Sequence, residues 1–330
     1  MSTSLTESPA ARPVTRPPDT LTLTVTAIAQ SAPAIRSFTL AAPDGAALPG
    51  FVPGSHLTVQ AGAVANAYSL TGDGIRPTEY TISVLRLPDG SGGSRYLHDE
   101  VRVGDELSAE LPRSAFAPVG VATKYLLVAG GIGVTPILSH LRSARRWGRA
   151  VQVLYTFRAG QAAHIDDVVE LSGPAAELFD EQQAFTERLA QALHEQPIGT
   201  HLYVCGPGPM MDHVVGAAEQ AGWPPSRIHL ERFGAGHLDD GEPFTVSLSE
   251  SGGTVQVPAG TSMLEALEEH GVSVPSLCRK GVCGRCRTPL LGGAAVHRDL
   301  YLTDAEKAAG EAIMPCVSRG ERDCTLEVSL

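Results

Sequence analysis

The hydrophobic period of the chain changes twice, and the changes divide it into three unlike segments. Over 21–120, apolar and polar residues alternate in short runs: Leu21, Leu23 and Val25 are spaced by threonines, and Tyr80, Ile82 and Val84 by Thr81 and Ser83. Turn-forming stretches recur between such runs, at Pro43-Asp44-Gly45, Pro53-Gly54, Gly72-Asp73-Gly74 and Pro88-Asp89-Gly90. This pattern predicts an antiparallel β-barrel. Over 121–233 the period lengthens. Tyr125–Ala129 is a solid apolar run entering Gly130-Gly131-Ile132-Gly133-Val134-Thr135-Pro136, after which Ile137, Leu138, Leu141 and Ala144 share one helical face. Val151–Phe157 and Leu202–Cys205 read as further strands, the latter followed by Gly206-Pro207-Gly208-Pro209 and a helix bearing Met210, Met211, Val214 and Val215. Strands alternating with helices predict an α/β unit with a parallel sheet covered on both faces.

Residues 234–243 are polar and glycine-bearing, and read as a linker. Over 244–330 the signals are mixed. Phe244–Ser249 and Thr254–Val257 form a candidate hairpin, and Met263, Leu264 and Leu267 one face of a short helix. Thr303 and Glu306 have the spacing of a capping box, and Leu326–Leu330 closes as a strand. Residues 1–20 lack the apolar core of a signal peptide and read as a disordered tail.

Composition changes this picture little. At 330 residues, 43% hydrophobic and 18% charged, the chain has the make-up of a soluble protein of two or three domains. No run approaches the roughly 18 apolar residues of a membrane helix, and a cytoplasmic protein is the expectation. A net charge of −11 argues against nucleic acid as a partner. Locally the sign reverses: Arg279, Lys280, Arg285 and Arg287 fall in ten residues without an acid. Those cations either offset a negative group nearby or form a collar that steers an acidic partner.

That negative group is read from the cysteines. Cys278, Cys283 and Cys286 are spaced C-x4-C-x2-C, with Cys316 thirty residues on. This is the plant-type spacing for a [2Fe–2S] cluster, in which four thiolates hold two irons. Four-cysteine zinc sites come as two similar knuckles, and the lone fourth cysteine here suits a cluster better. Gly281 and Gly284 let the loop fold around it. Of the other two cysteines, Cys324 reads as a small buried residue of the last strand.

The loop Gly130–Pro136 is a weak motif by itself. Its glycines allow close backbone approach and its helix start offers free N–H groups to phosphate, but tight strand–helix packing explains glycines equally well. The second loop, Cys205-Gly206-Pro207-Gly208-Pro209-Met210, stands at the carboxyl end of a later strand, where ligands of open α/β sheets bind. In the first segment, Asn66-Ala67-Tyr68-Ser69 offers an aromatic face beside a hydroxyl, and Gly90–Ser94 is either a hairpin turn or a cradle for one phosphate.

In their order, Tyr68-Ser69, Gly130–Pro136, Cys205–Met210, Glu231-Arg232-Phe233-Gly234 and the cysteine loop resemble the phthalate dioxygenase reductase family over nearly the whole chain. The resemblance implies a multidomain fold: a flavin β-barrel, a nucleotide-binding α/β domain and a β-grasp plant-type ferredoxin domain. It implies FMN along Tyr68 and Ser69, its phosphate held by Gly92, Gly93 and Ser94 and by Arg86. It also implies a nicotinamide pocket lined by Gly130, Gly131, Gly133, Thr135, Pro136, Cys205, Gly206, Pro207 and Met210, with Phe233 at the flavin face. Ser69, Thr135, Cys205 and Phe233 would then stand closest to the reacting rings. One position departs from the family. Its motif is Arg-x-Tyr-Ser, and Asn66 replaces the arginine, so flavin retention is expected to lean more on Arg86.

A reductase of this kind takes a hydride from NADH and releases electrons singly, through a cluster whose potential is typically roughly −400 mV, to a separate oxygenase. NADH is preferred to NADPH because Arg158 alone could meet a 2′-phosphate before Asp166 and Asp167 intervene. The expected acceptor is a Rieske non-haem iron oxygenase acting on a small aromatic or a quaternary or methylated amine, with a cytochrome P450 as the alternative. A redox sensor on the same scaffold is the reading of another class. A monomer suits a shuttle that must present both a cleft and a cluster edge.

Overall fold

The computed structural model of the chain describes residues 20–62, 64–88, 92–114, 116–233, 240–276, 279, 281, 284–299 and 301–330. The first alternating segment forms β1 (Thr20–Ala32), β2 (Ile35–Ala41), β3 (Ser55–Ala61), β4 (Val64–Ser69), β5 (Glu79–Leu85), the short helix α1 (Gly93–Asp99), β6 (Glu106–Glu110) and β7 (Arg113–Ser114). The strands are antiparallel in the order β4-β3-β6-β1-β2-β5, with β7 beside β3. A bridge between Leu70 and Ile82 brings the two ends of the sheet together, as a barrel requires. The inward residues of the alternation, among them Leu23, Val25, Phe38, Leu57, Tyr80 and Ile82, are wholly buried in one core.

Two details differ from the sequence reading. The chain from Gly92 to Ser94 is a helix start and not a hairpin turn, because Leu97 and His98 bury against the barrel and wind the chain after Gly92 (φ 100°). Gly90 and Ser91 of the same stretch lie outside the described residues. Ser83, on the polar side of the β5 alternation, is buried as well.

The second segment forms β8 (Lys124–Gly130), α2 (Val134–Arg146), β9 (Ala150–Thr156), α3 (Ile165–Ser172), β10 (Ala176–Phe179), α4 (Gln182–His194), β11 (Thr200–Cys205), α5 (Gly208–Gln220) and β12 (Ile228–Glu231). All strands are parallel, in the order β10-β9-β8-β11-β12. Strand β8 explains the solid apolar run: Leu127 and Ala129 pack with Ile137, Leu138 and Val168 on one face, Leu126 and Val128 with Leu189, Met211 and Val214 on the other. The chain leaves β8 first to one side and later to the other, so the crevice between β8 and β11 is the point where ligands of such sheets bind.

The third segment forms β13 (Phe244–Leu248), β14 (Thr254–Val257), α6 (Met263–Glu269), β15 (Thr288–Gly292), β16 (Ala295–Val296), α7 (Asp304–Ala309), β17 (Ala312–Ile313), β18 (Arg319–Gly320) and β19 (Thr325–Val328). Its sheet runs β14-β13-β19-β15-β17, with β13 parallel to β19, and β16 pairs β18 in a small ribbon. Helix α6 packs Met263, Leu264 and Leu267 into the core beneath this sheet. The capping box expected at Thr303 and Glu306 starts α7, and Ser262 with Glu265 makes an equivalent one for α6. Of the expected linker, residues 234–239 lie outside the described residues. Asp240 and Glu242 are already tied to the third unit, their carbonyls accepting from Gly260 (2.7 Å) and Arg319 (3.2 Å). Cys324 is half-buried in the turn before β19 and not within the strand. Among the described residues, no helix is long and apolar enough to cross a membrane.

Helix α2 is also a wall shared with the barrel. Ser139 accepts the Gly54 N–H at 2.9 Å, and the next residue, His140, donates from Nε2 to the Phe116 carbonyl at 2.9 Å. His140 is fully buried among Phe116, Tyr125 and Tyr203, and its Nδ1 has no hydrogen-bond partner among the described residues. Burial lowers its pKa to about 4, with nearby His229 adding to the effect; His229 is itself lowered to about 4 by burial and by His201.

The unfolded chain takes up these protons as the pH falls through about 6.5, while the folded chain resists until about 4. Stability is therefore full above 6.5 and falls between 6.5 and 4, by about 1.4 kcal/mol per pH unit for the fully buried His140. Urea unfolding between pH 7.5 and 5 is expected to show this slope, reduced in His140→Gln. An equal slope in that variant would contradict the assignment.

Candidate functional site

At the carboxyl ends of β8 and β11 two loops touch through their glycines. A Cβ on Gly133 would stand 2.2 Å from the Cys205 carbonyl oxygen, and one on Gly206 3.0 Å from the Gly130 Cα. A Cβ on Gly130 would stand 2.4 Å from Met210 Sδ and 2.8 Å from Pro207 Cδ. Gly130, Gly133, Cys205, Gly206, Pro207 and Met210, named separately in the sequence, thus form one group. Gly131 needs its left-handed backbone (φ 53°), and its carbonyl lies 3.2 Å from the Tyr155 hydroxyl. Thr135 is buried at the start of α2 and donates its hydroxyl to Ile132 at 2.9 Å, with Pro136 buried beside it. Cys205 is wholly buried, whereas Arg158 is exposed and Phe233 is 37% exposed just beyond β12. Arg232, before Phe233, pairs with Asp212 of α5 at 2.5 Å.

Strand β5 of the barrel abuts the Gly131–Gly133 turn, which brings the second group of expected residues alongside the first. Ser69, at the end of β4, is 3% exposed, and its hydroxyl has no hydrogen-bond partner among the described residues. A buried orphan hydroxyl costs roughly 1–3 kcal/mol, and a ligand atom that bonds it relieves the cost. Tyr68 is half-buried, which pushes its phenol pKa up against a weak 3.5 Å bond from Asn66. The Asn66 amide nitrogen lies 2.3 Å from where a Gly93 Cβ would sit, so a side chain there would displace the Asn66 amide. Ser94 accepts the Leu87 N–H at 3.1 Å and keeps its own proton to donate. This orphan hydroxyl, aromatic face and cluster of small donors fit a flavin.

Arg86 does not join that cluster. Its guanidinium forks onto Asp99 at 3.1 and 2.8 Å, which holds the Asp99 carboxyl below its usual range. The expected phosphate contact would require it to leave this pair. Both side chains are largely exposed, so water screens the pair and the exchange is easy.

In the third unit Cys286 and Cys316 are buried with sulfurs 3.3 Å apart, well beyond a disulfide bond and close enough to bind a common group. Two thiols so placed fit adjacent ligands of a cluster. Cys278, Cys283 and Lys280 lie outside the described residues. Gly281 and Gly284 take left-handed backbone (φ 70° and 72°), and the Tyr301 ring would meet a Cβ on Gly284 at 2.2 Å. Arg279 pairs with Glu268 at 2.6 Å and Arg287 approaches Glu306 at 4.0 Å, whereas Arg285 is exposed.

Tyr301, 47% exposed over the cysteine loop, escaped the sequence reading because it belongs to no motif and follows the loop at a distance along the chain. Asp299 places it there, accepting from the N–H groups of Tyr301 (3.3 Å) and Leu302 (2.8 Å) and from the Ser318 hydroxyl (3.0 Å).

Comparison with known proteins agrees with this arrangement. Residues 106–228 match the family model described as dimethylamine monooxygenase subunit DmmA-like, N-terminal domain, and residues 246–320 match the 2Fe-2S iron-sulfur cluster binding domain. The heme-dependent oxidative N-demethylase beta subunit of Ectopseudomonas mendocina (strain ymp) is 40% identical over 91% of this chain and 96% of its own. The carnitine monooxygenase reductase subunit of Acinetobacter baumannii is 36% identical over 90% of this chain and 94% of its own. The solved structure of phthalate dioxygenase reductase, described as modular for electron transfer from pyridine nucleotides to [2Fe–2S], is 36% identical, with a TM-score of 0.74 over 94% of this chain and 98% of that one. Near-complete coverage at this identity carries all three units together, and the chain belongs to the phthalate dioxygenase reductase family of oxygenase reductase components.

Proposed function

We propose that this chain is the NADH-oxidising, FMN-containing reductase of a multicomponent oxygenase whose substrate is a methylated amine. The observation that carries the flavin assignment is the buried, unpartnered Ser69 hydroxyl beside the loops that join β8 and β11 to their helices. A flavin bound there supplies the exchange between hydride transfer and single-electron transfer to a [2Fe–2S] cluster. The protein aligns the two rings: Gly130, Gly133 and Gly206 let the two loops close on each other and so frame the nicotinamide pocket, Thr135 and Cys205 line it, and Phe233 covers the flavin face until nicotinamide displaces it. Asn66, Gly93 and Ser94 are on the scale of one phosphate, which favours FMN. Arg158 is the single exposed base between β9 and α3, and one base alone is a weak grip on a 2′-phosphate, which favours NADH. Cys278, Cys283, Cys286 and Cys316 hold the cluster.

The amine substrate rests on names: the matching N-terminal domain and both relatives above are named for dimethylamine, N-demethylation or carnitine. For the acceptor, the family resemblance favours a Rieske oxygenase. A haem-dependent oxygenase is the second reading, favoured by the relative at 40% identity. With Arg279 and Arg287 partly neutralised by the chain's own acids, Arg285 and the exposed Tyr301 ring are, among the described residues, the docking groups left at the cluster edge, with Lys280 beside them in the sequence.

Anaerobic titration with NADH, followed by visible absorption and EPR, tests the whole reading. Bleaching of a flavin that chromatography identifies as FMN, followed by a reduced-cluster signal, is expected, with NADPH needing higher concentrations. Adding the partner oxygenase should oxidise the cluster at a rate that falls with salt, and the spectrum of the reduced partner decides between Rieske and haem. Protein that binds no flavin after reconstitution would end the proposal.

A further inference from the structure

Ser83 faces the polar side of β5 yet is only 4% exposed, and the group that covers it comes from the nucleotide-binding unit. His164 places Nε2 2.8 Å from Ser83 Oγ and Nδ1 2.9 Å from Asp167 Oδ2. Asp167 accepts a second bond through Oδ1, from Arg142 at 2.9 Å, and Arg142 Nε donates to the Thr71 carbonyl of the barrel at 3.0 Å. The bracket thus grips the barrel at two points, Ser83 and Thr71. These flank the Leu70–Ile82 bridge, and Thr71 lies two residues from Ser69.

The other end of the bracket reaches the nucleotide loop. Ala163, next to His164, donates its N–H to the Tyr155 hydroxyl at 3.2 Å, and that hydroxyl shares its proton between the carbonyls of Ala163 (3.0 Å) and Gly131 (3.2 Å). Arg142 stands on α2, which starts directly after the loop.

Two features mark this as more than packing. His164 is held at φ 59°, a left-handed conformation that a non-glycine residue adopts at a cost and that aims its ring across the junction. The hydrogen bonds also share one direction. The His164 bond, with the Arg142 charge behind it, holds Asp167 ionised, so Nδ1 donates to it, and in the neutral ring Nε2 accepts from Ser83. Ser83 can then accept from Ser37 (2.7 Å), and Ser37 from Ser31 (2.6 Å). The connectivity is that of a Ser–His–Asp triad, but Ser83 is buried and bonded to both His164 and Ser37, which leaves no access for an acyl substrate.

We propose that His164 is a positioning residue for hydride transfer, locking the Gly130–Gly133 loop in register with the Ser69 pocket through its bond to Ser83. The inference rests on the reading that nicotinamide and flavin occupy those two places. Small misplacement of reacting atoms costs up to about a hundredfold in rate, so loss of the lock should appear in the chemical step.

Stopped-flow reduction of the flavin-loaded protein by NADH tests this with two mild variants. Ser83→Ala removes one hydroxyl. His164→Asn tolerates the left-handed backbone and can keep the Asp167 bond but cannot reach Ser83. Both are expected to slow flavin reduction about tenfold or more while the NADH dissociation constant, flavin content and melting temperature stay near those of the parent. Reduction within twofold of the parent in both variants would overturn the inference, as would losses matched by lost NADH affinity or flavin. A parent protein that binds no flavin would instead refute the functional reading and is detected before any variant is made.

Discussion

Serine in place of Cys316 is expected to lower electron delivery to the oxygenase at least about a hundredfold while NADH-driven ferricyanide reduction stays within about threefold of the parent. Serine is a poor ligand for iron held by soft thiolates, so a cluster resting on four sulfurs is lost or much weakened. The site offers little room for compensation. Ile313 and Met314 are fully buried, and the Pro315 carbonyl accepts the Leu264 N–H of α6 at 2.9 Å, so the segment carrying Cys316 is firmly anchored. Ferricyanide is small enough to take electrons from the flavin directly, which is why the two activities should separate. Iron content and the EPR signal after dithionite provide the check. Full oxygenase turnover by the variant would remove Cys316 from the metal site.

Gly133→Ala should produce the opposite loss: NADH oxidation falls about a hundredfold with every acceptor, while dithionite still reduces the cluster. The added methyl would stand 2.2 Å from the Cys205 carbonyl oxygen and 2.7 Å from the Gly206 nitrogen. Both neighbours are backbone and cannot swing aside, so the loops after β8 and β11 must part and the nicotinamide alignment goes with them. Gly131→Ala is the comparison, since its Cβ would meet nothing within 4 Å and only the left-handed backbone resists it. Persistence of the cluster signal shows that the third unit, with its own core, remains folded. Normal NADH oxidation in Gly133→Ala would mean that the two loops do not frame the nicotinamide site.

These two variants separate the entry of electrons from their exit, and His140 shows a different kind of dependence. It couples α2 to Phe116 at the barrel boundary through a ring that burial keeps neutral. Acid therefore loosens the junction on which the alignment of the two rings depends.

Much of the fold was legible in the residue order because its signals are local. Alternation in β1 and β5, the solid run of β8 and the box at Thr303 and Glu306 each depend on neighbours within a turn or two. The proposed thiol ligands stand out in the sequence for the same reason, since three of four sit in one short loop. Less was legible where a residue's role is set by something distant. The family resemblance made Arg86 a phosphate ligand, and nothing nearby in the sequence shows that α1 forms and carries Asp99 to it. The collar of four cations read as uniform because Glu268 and Glu306 reach it only after the third unit folds.

Spacing along the backbone alone pointed to a [2Fe–2S] cluster through its cysteines, whereas the glycine loops allowed a nucleotide or tight packing equally. Tertiary structure decided how those parts face one another. Ser83 and His164 are 81 residues apart and carry no joint motif, yet they meet at 2.8 Å across the junction of two units. A hydrogen bond needs atoms within about 3 Å, and only the packing of barrel against parallel sheet brings these within that range.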